Sequence, residues 1–203
     1  EVLATEIVSA CDALEFYAKR AKRLLAERSV PLHLMKNKKL RLVYKPLGVV
    51  GIVTPWNFPF ILSLNPTIQA LAAGNAVVLK PSEATPYSGR LVEELFRAAG
   101  VPDGLVTCVL GDGETGAALV EAGVDKIAFT GSVRTGRKVA EACGRQLIPC
   151  TLELGGKDPM IVCADADLER AANGAVFGAF ANAGQVCVST ERVYVVDSVA
   201  DEF

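Results

Sequence analysis

The sequence predicts an α/β protein built on a parallel sheet with helices on both faces. Two observations lead there. Short apolar runs rich in β-branched residues recur at Val49–Val53, Asn75–Leu79, Val106–Leu110 and Lys126–Phe129, each the length of a buried strand. The stretches between them, Ile61–Ala73, Ser88–Ala99 and Thr115–Ala122, are long enough and apolar enough on one side to be helices. Strand and helix alternating in this way close a parallel sheet by crossover, which puts helices over both faces. In open sheets of this kind ligands sit beyond the carboxyl ends of the strands. The distinctive short motifs of the chain all fall at those ends.

Composition narrows the function. With 203 residues, 51% hydrophobic and 22% charged, the chain can bury a sizeable core in one large or two small domains. Its net charge of −2 and the absence of a basic run beyond Lys36–Lys39 argue against nucleic acid. The longest apolar stretch, Leu47–Val53, falls far short of the ~20 residues that span a bilayer, and no charged-then-apolar leader opens the chain. A soluble, cytoplasmic protein is expected, without membrane or nucleic-acid partners. Six cysteines without a C-x-x-C pair read as reduced thiols, and with one histidine they offer no zinc set, so no metal is implied.

In chain order, apolar residues from Val2 to about Glu27 recur at steps of three and four, which predicts a helix ended by Pro31. The pattern is already running at the first residue, without a cap, and this reads as a start in mid-helix. Leu32–Tyr44 alternates in part and is expected to be extended. After the first strand comes Thr54-Pro55-Trp56-Asn57-Phe58-Pro59, where two prolines stiffen a loop that carries an amide. An amide donor fixed at a strand end is what an oxyanion hole needs; a rigid turn around a packed Trp explains the same residues. Lys80-Pro81-Ser82-Glu83 follows the second strand, placed to bond sugar hydroxyls and phosphate, or to be an exposed ion-paired turn. Phe129-Thr130-Gly131-Ser132 follows a strand and opens a helical run from Arg137 to Cys143. Backbone N–H groups and a hydroxyl there outline an anion site at a helix start, although neither the G-x-G-x-x-G nor the P-loop pattern is present.

The last quarter of the chain carries the reactive groups. Glu153, in Thr151-Leu152-Glu153-Leu154-Gly155-Gly156-Lys157, and Cys187, in Gly184-Gln185-Val186-Cys187, lie 34 positions apart in small-residue settings. A thiol becomes a strong nucleophile only when ionised, which calls for a base or a favourable field. The one histidine, His33, sits between leucines just after Pro31, so a carboxylate is the better candidate base. Pro159–Cys163 reads as a strand, and Asp165-Ala166-Asp167 as the cap of a helix from Leu168 to about Ala181. That helix has no charge after Arg170 and is expected to be almost wholly buried. Asp197–Phe203 reads as a helix just beginning.

These motifs, in this order and spacing, resemble the aldehyde dehydrogenase superfamily: NAD(P)-dependent, non-acylating enzymes with a cysteine nucleophile. The likeness runs from about Leu3 to Phe203 and is carried by Thr54–Pro59, Lys80–Glu83, Phe129–Ser132, Glu153–Lys157 and Gly184–Cys187. It implies a Rossmann-like parallel-sheet cofactor domain within residues 1–152, with an N-terminal helix and a partial oligomerisation arm at about 31–45. Residues 153–203 would begin an α/β catalytic domain. Cys187 would be the nucleophile, Glu153 the base that activates water for deacylation, and Asn57 with the Cys187 N–H the oxyanion hole. Thr54, Pro55, Trp56, Lys80, Ser82, Glu83, Gly131, Ser132, Leu154 and Gly155 would line the dinucleotide site, with the Glu83 carboxylate favouring NAD over NADP. The substrate would be a small-molecule aldehyde and the parent enzyme a homodimer or homotetramer. Family members run to more than twice this length, so the chain is expected to be a fragment, inactive alone. Relatives that pass the acyl group to coenzyme A typically lack a base at the position of Glu153.

Overall fold

A computed structural model describes residues 2–203. Five parallel strands form the central sheet: β3 (Val49–Val53), β4 (Ala76–Lys80), β5 (Val106–Cys108), β6 (Lys126–Gly131) and β7 (Cys150–Leu154), in the order β5-β4-β3-β6-β7. Before them, β1 (Arg28–Val30) and β2 (Leu40–Leu42) make a small antiparallel ribbon. After them, β8 (Asp158–Val162) and β9 (Thr190–Val195) pair in parallel as a separate two-stranded sheet. The helices are α1 (Ser9–Leu24), led by a π-helical turn at Leu3–Val8, then α2 (Ile61–Ala72), α3 (Pro86–Ala98), α4 (Gly113–Glu121), α5 (Val133–Gln146) and α6 (Leu168–Phe180). The α/β class and the parallel sheet are as the sequence predicts. No helix among the described residues is long and apolar enough to cross a membrane.

Successive strand residues point to opposite faces, so each strand feeds two cores. Val50, Ile52, Val77 and Leu79 pack with Leu64 and Ile68 of α2, Val92 of α3 and Ala10 of α1. Ile127 and Phe129 face the other way, against Leu119 and Val120 of α4 and Cys143 of α5. Leu152 and Leu154 pack against this second cluster. The alternation therefore turns Thr151 and Glu153 to the α2 face.

Four local expectations need correction. The first helix ends at Leu24, seven residues before Pro31, and the intervening Arg28–Val30 is a strand. Of the segment expected to be extended, only Leu40–Leu42 pairs, and its partner precedes the proline. The helix after Ser132 starts at once, at Val133, because Ser132 caps it by accepting from the Thr135 N–H at 3.2 Å. The helix expected to be almost wholly buried, α6, has no buried residue, and Phe177 and Phe180 are 76% and 71% exposed. It rests one face on β8 and β9, and no described element covers the other. Its predicted cap holds, with Asp167 Oδ1 accepting from Arg170 N–H at 3.1 Å.

Candidate active site

The strand order gives the site its place. The chain winds outward from β3 to β5 and then returns to β6 on the other side of β3. Loops leaving β3 and β6 therefore diverge and open a crevice at their carboxyl ends. The register is level there: Val53 lies opposite both Lys80 and Phe129, and Gly131 opposite Leu154. Thr54–Asn57, Lys80–Glu83, Gly131–Ser132 and Leu154–Gly155 consequently share one edge of the sheet.

The loop after β3 is held at its root. Thr54 N–H donates to Lys80 O at 3.1 Å, and its hydroxyl lies 2.9 Å from Ser63 Oγ, which donates to Pro59 O at 2.7 Å. Thr54 and Ser63 are buried, while Trp56 stands partly in solvent. At the tip, Asn57 Nδ2 donates to Gln185 O at 2.9 Å, and Asn182 Nδ2 donates back to Asn57 O at 3.1 Å. These bonds bring the loop that carries Cys187 against the end of β3. An amide has two N–H donors, and the bond to Gln185 uses one.

Cys187 is exposed. It follows a turn in which Asn182, Ala183 and Gly184 all have positive φ, at 50°, 57° and 75°. Ala in the left-handed region costs roughly 1–2 kcal/mol, and the Asn182 bonds to Asn57 O and Gln185 O help to hold the turn. Glu153 lies opposite Thr130 on the edge strand β7, exposed, and its carboxylate makes no hydrogen bond or ion pair among the described residues. By the alternation along β7 it emerges on the α2 face. The Gly155–Lys157 turn beyond it is tied to β9 by the Lys157–Glu191 ion pair and by Arg192 Nε donating to Lys157 O at 2.8 Å.

At the end of β4, the Lys80 side chain is 5% exposed while its ion-pair partner Glu83 is 65% exposed, with Nζ and Oε2 3.3 Å apart. A backbone hydrogen bond at Glu83, and then its bond from Lys80, hold the Glu83 carboxyl below the usual carboxylate range. Ser82 is buried, its hydroxyl accepting from Ala84 N–H at 3.2 Å. A Cβ on Gly131 would stand 2.7 Å from the Phe129 ring, so this strand end admits no side chain. Two buried side-chain oxygens lack partners among the described residues, Asn57 Oδ1 and Thr85 Oγ1, and both lie in the loops after β3 and β4. Oxygens left unpaired within the protein are open to a polar ligand or to water. Donors, a buried cation and a Cβ-free strand end on one switch-point edge fit a dinucleotide.

The profile of the "Aldehyde dehydrogenase family" matches residues 1–203. The chain belongs to the aldehyde dehydrogenase family. It is 49% identical to a Methylomonas protein named 4,4'-diapolycopene aldehyde oxidase, over 100% of this chain and 39% of that one. The fold superposes on an aldehyde dehydrogenase from Bacillus cereus in complex with NAD+ with a TM-score of 0.92, at 39% identity over 98% of this chain and 40% of that chain. It also superposes on an NADP-dependent enzyme of E. coli with a TM-score of 0.89, at 39% identity over 95% of this chain and 40% of that chain. The chain thus spans about two fifths of the length of the relatives it matches.

Within this aldehyde dehydrogenase chain the structure adds residues that the sequence motifs pass over. Asn182 ties the cysteine loop to Asn57. Its signal was an asparagine among Ala and Gly, since Asn is one of the few side chains that enter the left-handed region readily. Glu6 reaches the start of α2 from 54 residues upstream, accepting from Phe60 N–H at 2.7 Å and Ile61 N–H at 3.2 Å. No local pattern announces that contact.

Proposed function

We propose that the chain supplies the dinucleotide site and three central catalytic groups of an aldehyde dehydrogenase that converts an aldehyde to a carboxylic acid. The observation that carries this reading is the Asn57 Nδ2 bond to Gln185 O, two residues before Cys187, which brings an amide donor and a thiol to the same strand edge. The membership of the family stands behind it.

Thr54, Pro55 and Trp56 at the end of β3, Lys80, Ser82 and Glu83 at β4, Gly131 and Ser132 at β6, and Leu154 and Gly155 at β7 would hold a nicotinamide dinucleotide. When bound it supplies the hydride acceptor. The chain's own groups do the rest. Cys187 Sγ, as thiolate, adds to the aldehyde carbon, and the oxygen becomes an alkoxide that accepts from the second Asn57 N–H and the Cys187 backbone N–H. Such donors act where charge develops and need no reorganisation during the step. Once the bound aldehyde is oxidised, the acyl group is a thioester on Sγ. Glu153 takes a proton from water, hydroxide adds to the acyl carbon, and the thiolate leaves as the acid is released. The exposed, unpaired carboxylate of Glu153 is available for this role.

NAD is the preferred dinucleotide, because the Glu83 carboxylate stays charged at neutral pH and would repel a 2′-phosphate. The enzyme assembles as a dimer or tetramer through the β1–β2 ribbon, whose exposed Val30, Leu40 and Leu42 support that role.

The test is Cys187→Ala in a full-length protein carrying this segment. Aldehyde oxidation should vanish while dinucleotide binding, measured by calorimetry, is retained. Turnover in Cys187→Ala would remove the nucleophile from this scheme.

A further inference from the structure

Glu6 is a carboxylate in the core, 6% exposed, in the π-helical turn ahead of α1. It is not used by its own helix. A single oxygen, Oε2, accepts from the N–H groups of Phe60 and Ile61, at 2.7 and 3.2 Å. Those donors sit at the start of α2, where backbone N–H groups have no partner within the helix. Phe60 is the N-cap and gives no side-chain cap of its own. Glu6 fills that vacancy with a negative charge at the positive end of the helix dipole.

We propose that Glu6 is a positioning residue for aldehyde addition: it fixes the first turn of α2 and thereby the aim of the Asn57 amide. The proposal rests on the reading of Asn57 as an oxyanion donor. Asn57 stands three residues before Phe60, in a loop with few ways to move. Its root is tied through Thr54, Ser63 and Pro59, and its tip through Gln185 and Asn182. Its exit into α2 is tied by Glu6. The side-chain bonds at the root are internal to residues 54–63, and the Thr54 N–H bond to Lys80 O fixes the loop only at its β3 end, whereas Glu6 belongs to a different helix and references the α2 end to the rest of the core. A rotation of α2 about its first turn would be passed through Pro59 to Asn57. Catalytic geometry is steep enough to register this, since a 1 Å misplacement can cost ~10²-fold.

The experiment uses Glu6→Gln, Asn57→Ala and the double variant in a full-length protein carrying this segment. The pre-steady-state rate of NADH formation is normalised to reactive Cys187 thiols, and the melting temperature is read alongside. Glu6→Gln keeps the size of the side chain but loses the charge, and should slow the burst about tenfold, short of the ~10²-fold of a full 1 Å error. The KM for the dinucleotide should stay unchanged. In the Asn57→Ala background the same substitution should have almost no further effect, because the group it aims is gone. A purely structural role would lower the melting temperature and leave the normalised burst rate untouched in both backgrounds, which overturns the proposal. Equal slowing in both backgrounds also overturns it, because the effect would then bypass Asn57. If Asn57→Ala fails to slow the burst, the oxyanion reading itself falls and takes this proposal with it, a result distinct from the other two. Should Glu6→Gln fail to accumulate, Glu6→Asp, with the charge withdrawn by one methylene, provides the same comparison.

Discussion

The side-chain amide of Asn57 donates to the backbone carbonyl of Gln185 at 2.9 Å, a bond across 128 residues that joins the end of β3 to the turn before Cys187. One contact thus orients a proposed oxyanion donor and anchors the loop of the nucleophile. Asn57→Ala should lower the rate of aldehyde oxidation by ~10²–10³-fold, the range for loss of an oxyanion donor. It should also release the turn at Asn182–Gly184, seen as faster proteolytic cleavage there. A rate within threefold of wild type would exclude the amide from the reaction.

For Glu153, the Gln substitution separates acylation from hydrolysis. In a full-length protein carrying this segment, Glu153→Gln should form about one NADH per active site in a burst. Steady turnover should then be lower by ~10²–10⁴-fold, as for a lost general base. Mass spectrometry should find an acyl adduct on the Cys187 peptide. Near wild-type turnover without an adduct would assign water activation to another group.

Glu83 tests the cofactor end of the crevice. Glu83→Thr should raise the NADP/NAD ratio of kcat/KM by roughly five- to tenfold, the effect of ~1–1.4 kcal/mol of charge repulsion relieved in a partly solvated site. The Lys80 cation loses its partner in the same change, which adds to the attraction for a phosphate. An unchanged ratio would remove Glu83 from the ribose contact.

The thiols make a pH prediction. Burial, with the Glu93 carboxylate adding to it, pushes Cys108 up to about 11 from an ordinary value of 9.0, and burial and then Cys150 push Cys143 up. Both folded values lie above the unfolded ones, so the folded chain holds more protons as the solution becomes alkaline. The stabilisation is complete below pH 9 and is lost for Cys108 as pH rises towards 11. At pH 8, iodoacetamide should label the exposed Cys11, Cys163 and Cys187 well before Cys108 and Cys143. Peptide mapping after timed labelling reads this directly, and early modification of Cys108 at pH 8 would contradict it.

The parallel sheet was legible because β3, β4 and β6 each carry a continuous apolar run, which is how a strand buried on both faces is written. β7 is different. Cys150, Leu152 and Leu154 alternate with Thr151 and Glu153, the pattern of an edge strand with one dry face, and the catalytic motif that overlaps its second half obscures the strand. The ribbon at Arg28–Val30 and Leu40–Leu42 departs from expectation because Pro31 follows a strand there, and a proline stops a strand as readily as a helix, which here is already finished at Leu24. In α6, the lack of charge after Arg170 predicts burial, but burial depends on what packs from outside, and composition carries no record of that. The candidate catalytic residues were visible as motifs. The contacts that orient them, Asn182 to Asn57 and Glu6 to Phe60, span 125 and 54 residues, and no window along the chain contains both ends.

The uncovered side of α6 has a consequence for synthesis on the ribosome. Translation runs N-terminus first at about 5–20 residues per second. In a protein of the length of this chain's relatives, the five-stranded sheet is complete once Leu154 has emerged, while Phe177 and Phe180 are still bare when Phe203 appears. The ~26 residues from Leu154 to Phe180 take roughly 1–5 s at that rate, so a completed sheet is followed closely by a helix whose two phenylalanines face water.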